Sequence, residues 1–117
     1  MEAAKDKRQY QRVGFRRTVR VFPVLPSKSG NIYEVQKDSI WVQADNISEG
    51  GLLLATEQFS KSSLILKLNF EVGLDRMVEV YGKVIWVEGG RCGVRFLFAD
   101  NELRKAVRGI ARKADNA

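Results

Sequence analysis

The longest strand candidate of the chain lies in Met77–Phe98, MVEVYGKVIWVEGGRCGVRFLF. Its first half, Met77 to Val87, is rich in valine and aromatic residues, the composition that favours a β-strand. Glu88-Gly89-Gly90-Arg91 has the residues of a tight turn, and Cys92 to Phe98 is strand-like again. The stretch therefore predicts a β-hairpin.

Shorter strand candidates precede this hairpin, and turn residues separate them. They run from Thr18 to between Pro23 and Pro26, from Asn31 to Val35, from Ile40 to Ile47, from Leu52 to Thr56 and from Leu64 to Phe70. The first should end at its prolines, because proline removes a backbone donor from the ladder. Several short strands in this arrangement are typical of a small barrel or sandwich.

The C-terminal segment has a different period. Asp100 or Asn101 is a suitable helix N-cap, and apolar residues follow at the spacing i, i+4 and i+7, namely Leu103, Val107 and Ile110. This pattern predicts a short amphipathic helix that packs its apolar stripe against the barrel. The stripe would equally suit a dimer contact, so a monomer and a homodimer both stay open.

Composition excludes several kinds of chemistry. The 117 residues contain no histidine and one cysteine, Cys92. A histidine-dependent triad, an imidazole base and a cysteine-based zinc site are therefore impossible, and we expect no metal and no cofactor. The carboxylates show no recognisable acid–base pair, so an enzyme is unexpected. No long apolar run or signal-like segment is present, and we expect a cytoplasmic protein with Cys92 buried.

Positive charge is concentrated at the N-terminus. Seven of the first twenty residues are basic and only Glu2 and Asp6 oppose them, so this stretch carries +5 of the formal net charge of +6. Residues 1–16 also have little apolar surface to offset the entropy of ordering. We predict a flexible anion-binding arm at 1–16, a barrel at 17–99 and a helix at 100–114, within a single domain.

Two short motifs indicate what the arm binds. The arm contains Arg8-x-x-x-Arg12, and a sharp turn between strands contains Asn46-x-Ser48-x-x-Gly51. Either motif alone has an ordinary explanation, because charge runs are usually solvated and Asn, Ser and Gly are common in turns. In this order, however, they resemble the two signature motifs of the PilZ domain, the cyclic di-GMP receptor module of bacteria.

The resemblance extends over most of the chain. Gly82-Lys83-Val84-Ile85-Trp86-Val87 and Gly93-Val94-Arg95-Phe96 are similar to late barrel strands of that family. It implies a mainly β fold, a six-stranded antiparallel β-barrel with a basic N-terminal arm and a C-terminal α-helix. It also implies a ligand, cyclic di-GMP, which has two phosphates and two guanines.

The resemblance assigns ligand contacts to Arg8, Arg12, Asn46, Ser48 and Gly51. A guanidinium can hold phosphate oxygens in a bidentate fork, read guanine O6 and N7, or stack on a purine. Ser48 can donate to a phosphate or brace the turn, and we expect Gly51 to provide backbone conformation and close approach.

Three neighbouring residues complete the predicted site. Asn46 occupies a family position that accepts Asp or Asn, and its neutral carbonyl predicts a weaker guanine contact than a carboxylate would make. Asp45 is not given this role, because adjacent strand residues point to opposite faces. Lys7 precedes the first motif arginine, where the family often has another basic residue, and is a secondary ligand residue. Trp41 and Trp86 are expected to serve packing in the core or on the barrel face.

The predicted function is therefore a second-messenger receptor that relays cyclic di-GMP to an unidentified protein partner by rearranging its arm. One alternative is a small basic barrel that binds nucleic acid, which is less favoured because the excess charge lies in one arm. Such proteins usually spread it along a strand face with exposed aromatics. A second alternative is a PilZ-like protein adaptor that binds no ligand.

Overall fold

A computed structural model of the chain describes residues 13–56, 58–59, 64–72, 76–98 and 100–116. This part of the chain contains eight strands and one C-terminal helix. They are β1 (Val13–Gly14), β2 (Thr18–Pro26), β3 (Tyr33–Val35), β4 (Ile40–Ser48), β5 (Gly51–Leu54), β6 (Ile65–Glu71), β7 (Met77–Glu88), β8 (Arg91–Phe96) and α1 (Asn101–Asn116).

Six of the strands close into an antiparallel barrel in the order β2–β4–β5–β8–β7–β6, with β6 returning to β2. The first half of β2 pairs with β4 on one side, while its middle pairs with β6 on the other. The two short strands add to this ring, β1 on β4 and β3 on β2. The predicted mainly β fold, a six-stranded barrel with a C-terminal helix, is confirmed.

Period-two alternation along the strands fills the barrel interior. In β2 the side chains of Val19 and Val21 are fully buried, whereas Thr18 and Arg20 between and beside them are exposed. The largest fully buried side chain is Phe70 of β6, and its ring meets that of Phe15 edge-to-face with centroids 5.6 Å apart. The core therefore extends from the barrel to the segment between β1 and β2.

The hairpin predicted between Met77 and Phe98 forms as expected. Strands β7 and β8 pair from Gly82 opposite Phe96 to Glu88 opposite Arg91. The turn glycines, Gly89 and Gly90, have φ angles of 60° and 76°, and this left-handed pair is what a tight two-residue hairpin loop requires.

The helix α1 begins as the sequence indicates. The Asp100 carboxylate accepts a hydrogen bond from the Leu103 amide at 2.9 Å and so acts as the N-cap. Leu103 and Val107 are buried in the core cluster, and Ile110 packs against it half-buried. The apolar stripe of α1 thus covers the barrel.

Two other predictions about single residues have different outcomes. Cys92 is fully buried as predicted, and burial raises the pKa of its thiol to about 11. Of the two places expected for the tryptophans, the core is excluded for Trp41, which is 66% exposed on the outer face of β4 with the Arg20 guanidinium carbon 5.6 Å from its ring centroid. Trp86 does pack on the barrel face, where its indole lies against Gly93 of β8.

No helix among the described residues has the length and apolar character to cross a membrane.

Candidate functional site

The second motif lies on the hairpin that joins β4 to β5. Asn46 is opposite Leu53 and Ser48 is opposite Gly51, with a two-residue loop between the strands. All three motif residues are therefore brought to one end of one hairpin. The structure thus holds the Asn46-x-Ser48-x-x-Gly51 residues together, as the sequence predicts.

Ser48 is the buried polar residue of this hairpin, with 5% of its surface exposed. Its hydroxyl accepts a hydrogen bond from the Gly50 amide at 3.2 Å and donates one to the Gly51 carbonyl at 3.5 Å. Of the two roles that the sequence left open, phosphate donor or brace, the described contacts are those of a brace. The loop is held in shape by the Ser48 side chain.

Gly51 is required by close packing between strands. A Cβ atom at this position would lie 2.0 Å from the Val94 carbonyl oxygen of β8 and 3.1 Å from the Arg95 Cα. These are backbone atoms of the neighbouring strand, which cannot rotate away as a side chain could. The expected close approach is therefore found, while the φ angle of Gly51 lies outside the left-handed region.

The reason for excluding Asp45 needs correction. The β4–β5 register shifts between Ala44 and Asn46, so Asp45 is the extra residue of a β-bulge. Ala44 and Ile47 point into the core and are fully buried, whereas Asp45 and Asn46 are both only half-buried. The two residues do not alternate between inside and outside, because the bulge changes the phase of the strand.

What distinguishes Asp45 is its partner. Its carboxylate forms an ion pair with Arg91 at the start of β8, with the two atoms 3.3 Å apart. The other acid of the hairpin, Glu49, pairs with Arg108 of α1 at 3.2 Å and retains 17% of its side-chain exposure. Each acid beside the motif is thus neutralised by an arginine, and neither leaves an unbalanced negative charge next to Asn46.

The described chain begins beside this hairpin. Val13 is opposite Ile47 and Gly14 is opposite Asn46 in the β1–β4 pairing. The Phe15 amide then donates to the Asp45 carbonyl at 3.0 Å, so the chain follows β4 past the bulge. The entry point of the N-terminal segment is therefore fixed next to the second motif.

The arginine motif itself lies outside the described residues. This holds for Arg8, Arg12 and the secondary residue Lys7, and for most of the predicted arm. Arg12 is the residue that immediately precedes Val13. The predicted contacts of these three side chains stay predictions.

Sequence reasoning missed the parts of the site that come from distant segments. The strand β1 was not predicted, and neither was the pairing of Arg108 with Glu49, which are 59 residues apart. The only usable signal was the basic character of α1, which is also common at the ends of solvated helices. Within the described residues, no group of three or more Cys, Asp or Glu side chains could hold a metal ion.

The comparisons with known proteins agree with this geometry. The family model described as the PilZ domain matches residues 6–112. The PilZ domain of CeSA from a cellulose-synthesising bacterium is similar with a TM-score of 0.61 and 13% identity, covering 90% of this chain and 98% of that one. No curated protein matches the chain in sequence.

A second solved structure is the PilZ domain with c-di-GMP of YcgR from Escherichia coli. It is similar with a TM-score of 0.58 and 13% identity, covering 96% of this chain and 100% of that one. At this identity the two structures show a shared fold. The family match over nearly the whole length, the closed barrel and the motif hairpin lead to one conclusion: the chain belongs to the PilZ domain family.

Proposed function

We propose that this protein is a bacterial cyclic di-GMP receptor that binds the ligand between its N-terminal segment and the β4–β5 hairpin. The site residues in this proposal are Arg8, Arg12, Asn46, Ser48 and Gly51, with Lys7 in a secondary role. Membership of the PilZ family and the c-di-GMP in the similar structure of YcgR support the choice of ligand.

The observation that carries the proposal is the position of β1. Gly14 is opposite Asn46 and Val13 opposite Ile47, so the chain enters the barrel beside the second motif. Consecutive Cα atoms are about 3.8 Å apart, and an arginine side chain is longer than that. Arg12 therefore needs no movement of the barrel to reach a ligand placed on Asn46.

The charges of the hairpin suit an anionic ligand. A phosphate next to an unpaired carboxylate would be repelled, but Asp45 is paired with Arg91 and Glu49 with Arg108. Both arginines are more than half exposed, at 59% and 57%, so they also contribute positive potential at the surface. The hairpin thus presents no net negative charge to the phosphates.

Each motif residue then has a distinct task. Arg8 and Arg12 divide phosphate, base-edge and stacking contacts between them. Asn46 offers a neutral carbonyl to guanine N–H groups, while Ser48 keeps the loop in shape through Gly50 and Gly51. Since the Ser48 hydroxyl is already engaged in the turn, its contribution to binding is indirect.

The relay is proposed to work through the N-terminal segment. Ligand binding fixes residues 1–12 against the hairpin and so presents a new surface to a protein partner in the cytoplasm. Hydrogen exchange measures this step directly. We expect amides of residues 5–12 to become protected on adding cyclic di-GMP; equal protection with and without ligand would contradict the relay.

The test of binding is a calorimetric titration of cyclic di-GMP into the wild type, Arg12→Ala and a matched control, Lys28→Ala. Lys28 is an exposed cation in the β2–β3 turn. We expect specific binding by the wild type and the control, with most of the affinity lost in Arg12→Ala and no comparable binding of GMP. Absence of wild-type binding would refute the receptor proposal and favour a protein adaptor.

A further inference from the structure

Two grooves on the outside of the barrel have one lining residue in common, Arg17. The first, about 490 Å³, lies between the β1–β2 junction and α1 and is lined by Arg16, Arg17 and Lys105 among others. The second, about 330 Å³, lies over β2, β4, β6 and the start of β7, and its lining includes Arg17, Arg20 and Trp41 together with one exposed acid, Glu71. Because Arg17 lines both, the grooves adjoin at this residue, and we refer to the two together as the track.

The first groove carries unbalanced positive charge. Arg16, Arg17 and Lys105 are exposed, and no acidic side chain of the described residues pairs with them. Arg76 also lines this groove and pairs with Glu102 of α1. Three free cations in a concave surface attract a polyanion, since low-dielectric walls focus their field.

The second groove adds an aromatic platform. Arg20 lies between two rings, with its guanidinium carbon 5.6 Å from the centroid of Trp41 and 5.1 Å from that of Phe22. Its Nε also donates to the Ser39 hydroxyl at 2.8 Å. These contacts hold the cation in place, while Trp41 keeps 66% of its surface exposed. The exposed indole is thus presented beside a fixed positive charge.

The same face continues across the next strands. Arg20 is opposite Trp41 on β4 and opposite Asn69 on β6, and two residues along β2 Phe22 is opposite Lys67. The Lys67 ammonium lies 5.2 Å from the Phe22 centroid. Cations and rings therefore alternate over this face, which also carries Glu71 and Glu79, the latter paired with Lys67 at 3.2 Å. The sequence predicted no such face, because the excess positive charge lies in the N-terminal arm.

We propose that this track, the surface formed by Arg16, Arg17, Arg20, Trp41 and Lys105, binds single-stranded nucleic acid. The cations of the first groove follow the phosphates, and a base stacks on the exposed face of Trp41, as on other single-strand binding barrels. The track uses none of the residues proposed to hold cyclic di-GMP, so it is a separate function of the chain.

The aromatic platform decides between polyanions. An acidic peptide would satisfy the cations but would leave the Trp41 face without a stacking partner, whereas every nucleobase has a π-face. A duplex keeps its base faces stacked internally and so cannot offer one to Trp41. Single strands are the polyanions that use both halves of the track.

The experiment is fluorescence anisotropy with a labelled oligothymidylate of about 15 nucleotides, titrated between about 50 and 200 mM salt. The proteins are the full-length wild type, Trp41→Ala, Arg17→Gln and the control Lys28→Gln, all with the N-terminal segment intact. Circular dichroism spectra and thermal unfolding of each variant show that the barrel is folded, and cyclic di-GMP titration of each tests whether the two sites are separate.

We expect Trp41→Ala to weaken oligonucleotide binding by at least about fivefold, as the loss of one stacked base does. Arg17→Gln should lower the slope of log affinity against log salt by about 0.7, the value for one phosphate contact of a single strand. Lys28→Gln should stay within about twofold of the wild type, because its charge lies outside the track.

Three results would overturn the proposal. One is an absence of wild-type binding to the oligonucleotide. Another is binding that survives unchanged in both Trp41→Ala and Arg17→Gln, since the N-terminal cations would then carry it. The third is equally tight binding of polyglutamate with the same dependence on Trp41, which would make the track a site for acidic peptides.

Discussion

The β4–β5 and β7–β8 hairpins look alike in sequence and differ in what their glycines do. Each turns through two residues, and each has two consecutive glycines, Gly50-Gly51 and Gly89-Gly90. In β7–β8 both glycines are in the loop with positive φ angles, and a Cβ on either would meet no atom within 4 Å. In β4–β5 the second glycine is already in the strand, where a Cβ would collide with backbone.

The difference separates two kinds of requirement. The β7–β8 loop needs a left-handed backbone conformation, which asparagine or aspartate can also adopt, though less readily than glycine. The β4–β5 hairpin has no room for a side chain at Gly51, is held in shape by the hydrogen bonds of the Ser48 hydroxyl, and is joined to α1 by the ion pair of Glu49. The second set lies within four consecutive residues of one hairpin, Ser48 to Gly51.

The largest effect is expected for Gly51→Ala. Its Cβ would lie 2.0 Å from the Val94 carbonyl oxygen, so β5 and β8 must separate. Overpacking that displaces backbone should lower the free energy of unfolding by about 3 kcal/mol or more. Chemical denaturation measures this loss. A stable Gly51→Ala protein that still binds cyclic di-GMP would show that the close approach is not needed.

Ser48→Ala should have the next largest effect. The substitution leaves the half-buried Gly50 amide without its side-chain acceptor. An unsatisfied group of this kind costs about 1–3 kcal/mol, and the loosened loop should also bind cyclic di-GMP more weakly. Denaturation and calorimetry on the same variant separate the two losses. Ser48→Thr, which keeps the hydroxyl, is the control and should recover part of both.

In the other hairpin, Gly90→Ala should cost about 1–2 kcal/mol, because alanine resists a φ of 76° although nothing obstructs its methyl group. Gly90→Asn should be milder, since asparagine tolerates the left-handed region. Cyclic di-GMP binding should be unchanged in both when measured below the unfolding transition. A loss of binding would mean that the two hairpins are not independent.

The smallest effect is expected for the ion pair between Glu49 of the β4–β5 hairpin and Arg108 of α1. A double-mutant cycle of Glu49→Gln and Arg108→Gln should give a coupling free energy of at most about 1 kcal/mol, because Arg108 is 57% exposed and water screens the pair. The cycle needs only denaturation curves of four proteins. A coupling of several kcal/mol would instead place α1 as a structural part of the site.

The sequence predicted those elements whose signals are local. Alternating side chains identified the strands, the turn residues identified the loops, and Asp100 was one of two predicted N-caps of the helix. The motif residues Asn46, Ser48 and Gly51 were also predicted to lie together, and the hairpin brings them together.

Features that depend on distant segments could not be predicted in this way. The bulge at Asp45 depends on how β4 pairs with β5. Alternation along β4 alone therefore gave the wrong reason for excluding Asp45 from the ligand site. The pair Glu49–Arg108 depends on how α1 meets the barrel. The exposure of Trp41 was not predicted. Alternation along a strand separates side chains that face the core from those that face outward, but it does not show whether another element covers the outer face.

The most direct test of the central claim is ¹H–¹⁵N chemical-shift mapping with cyclic di-GMP. If the β4–β5 hairpin and the entering chain form the ligand site, the largest shifts will fall on amides of residues 8–14 and 46–51, while Gly89 and Gly90 stay in place. No shifts, or shifts centred on the β7–β8 loop or on the Trp41 face, would contradict the account.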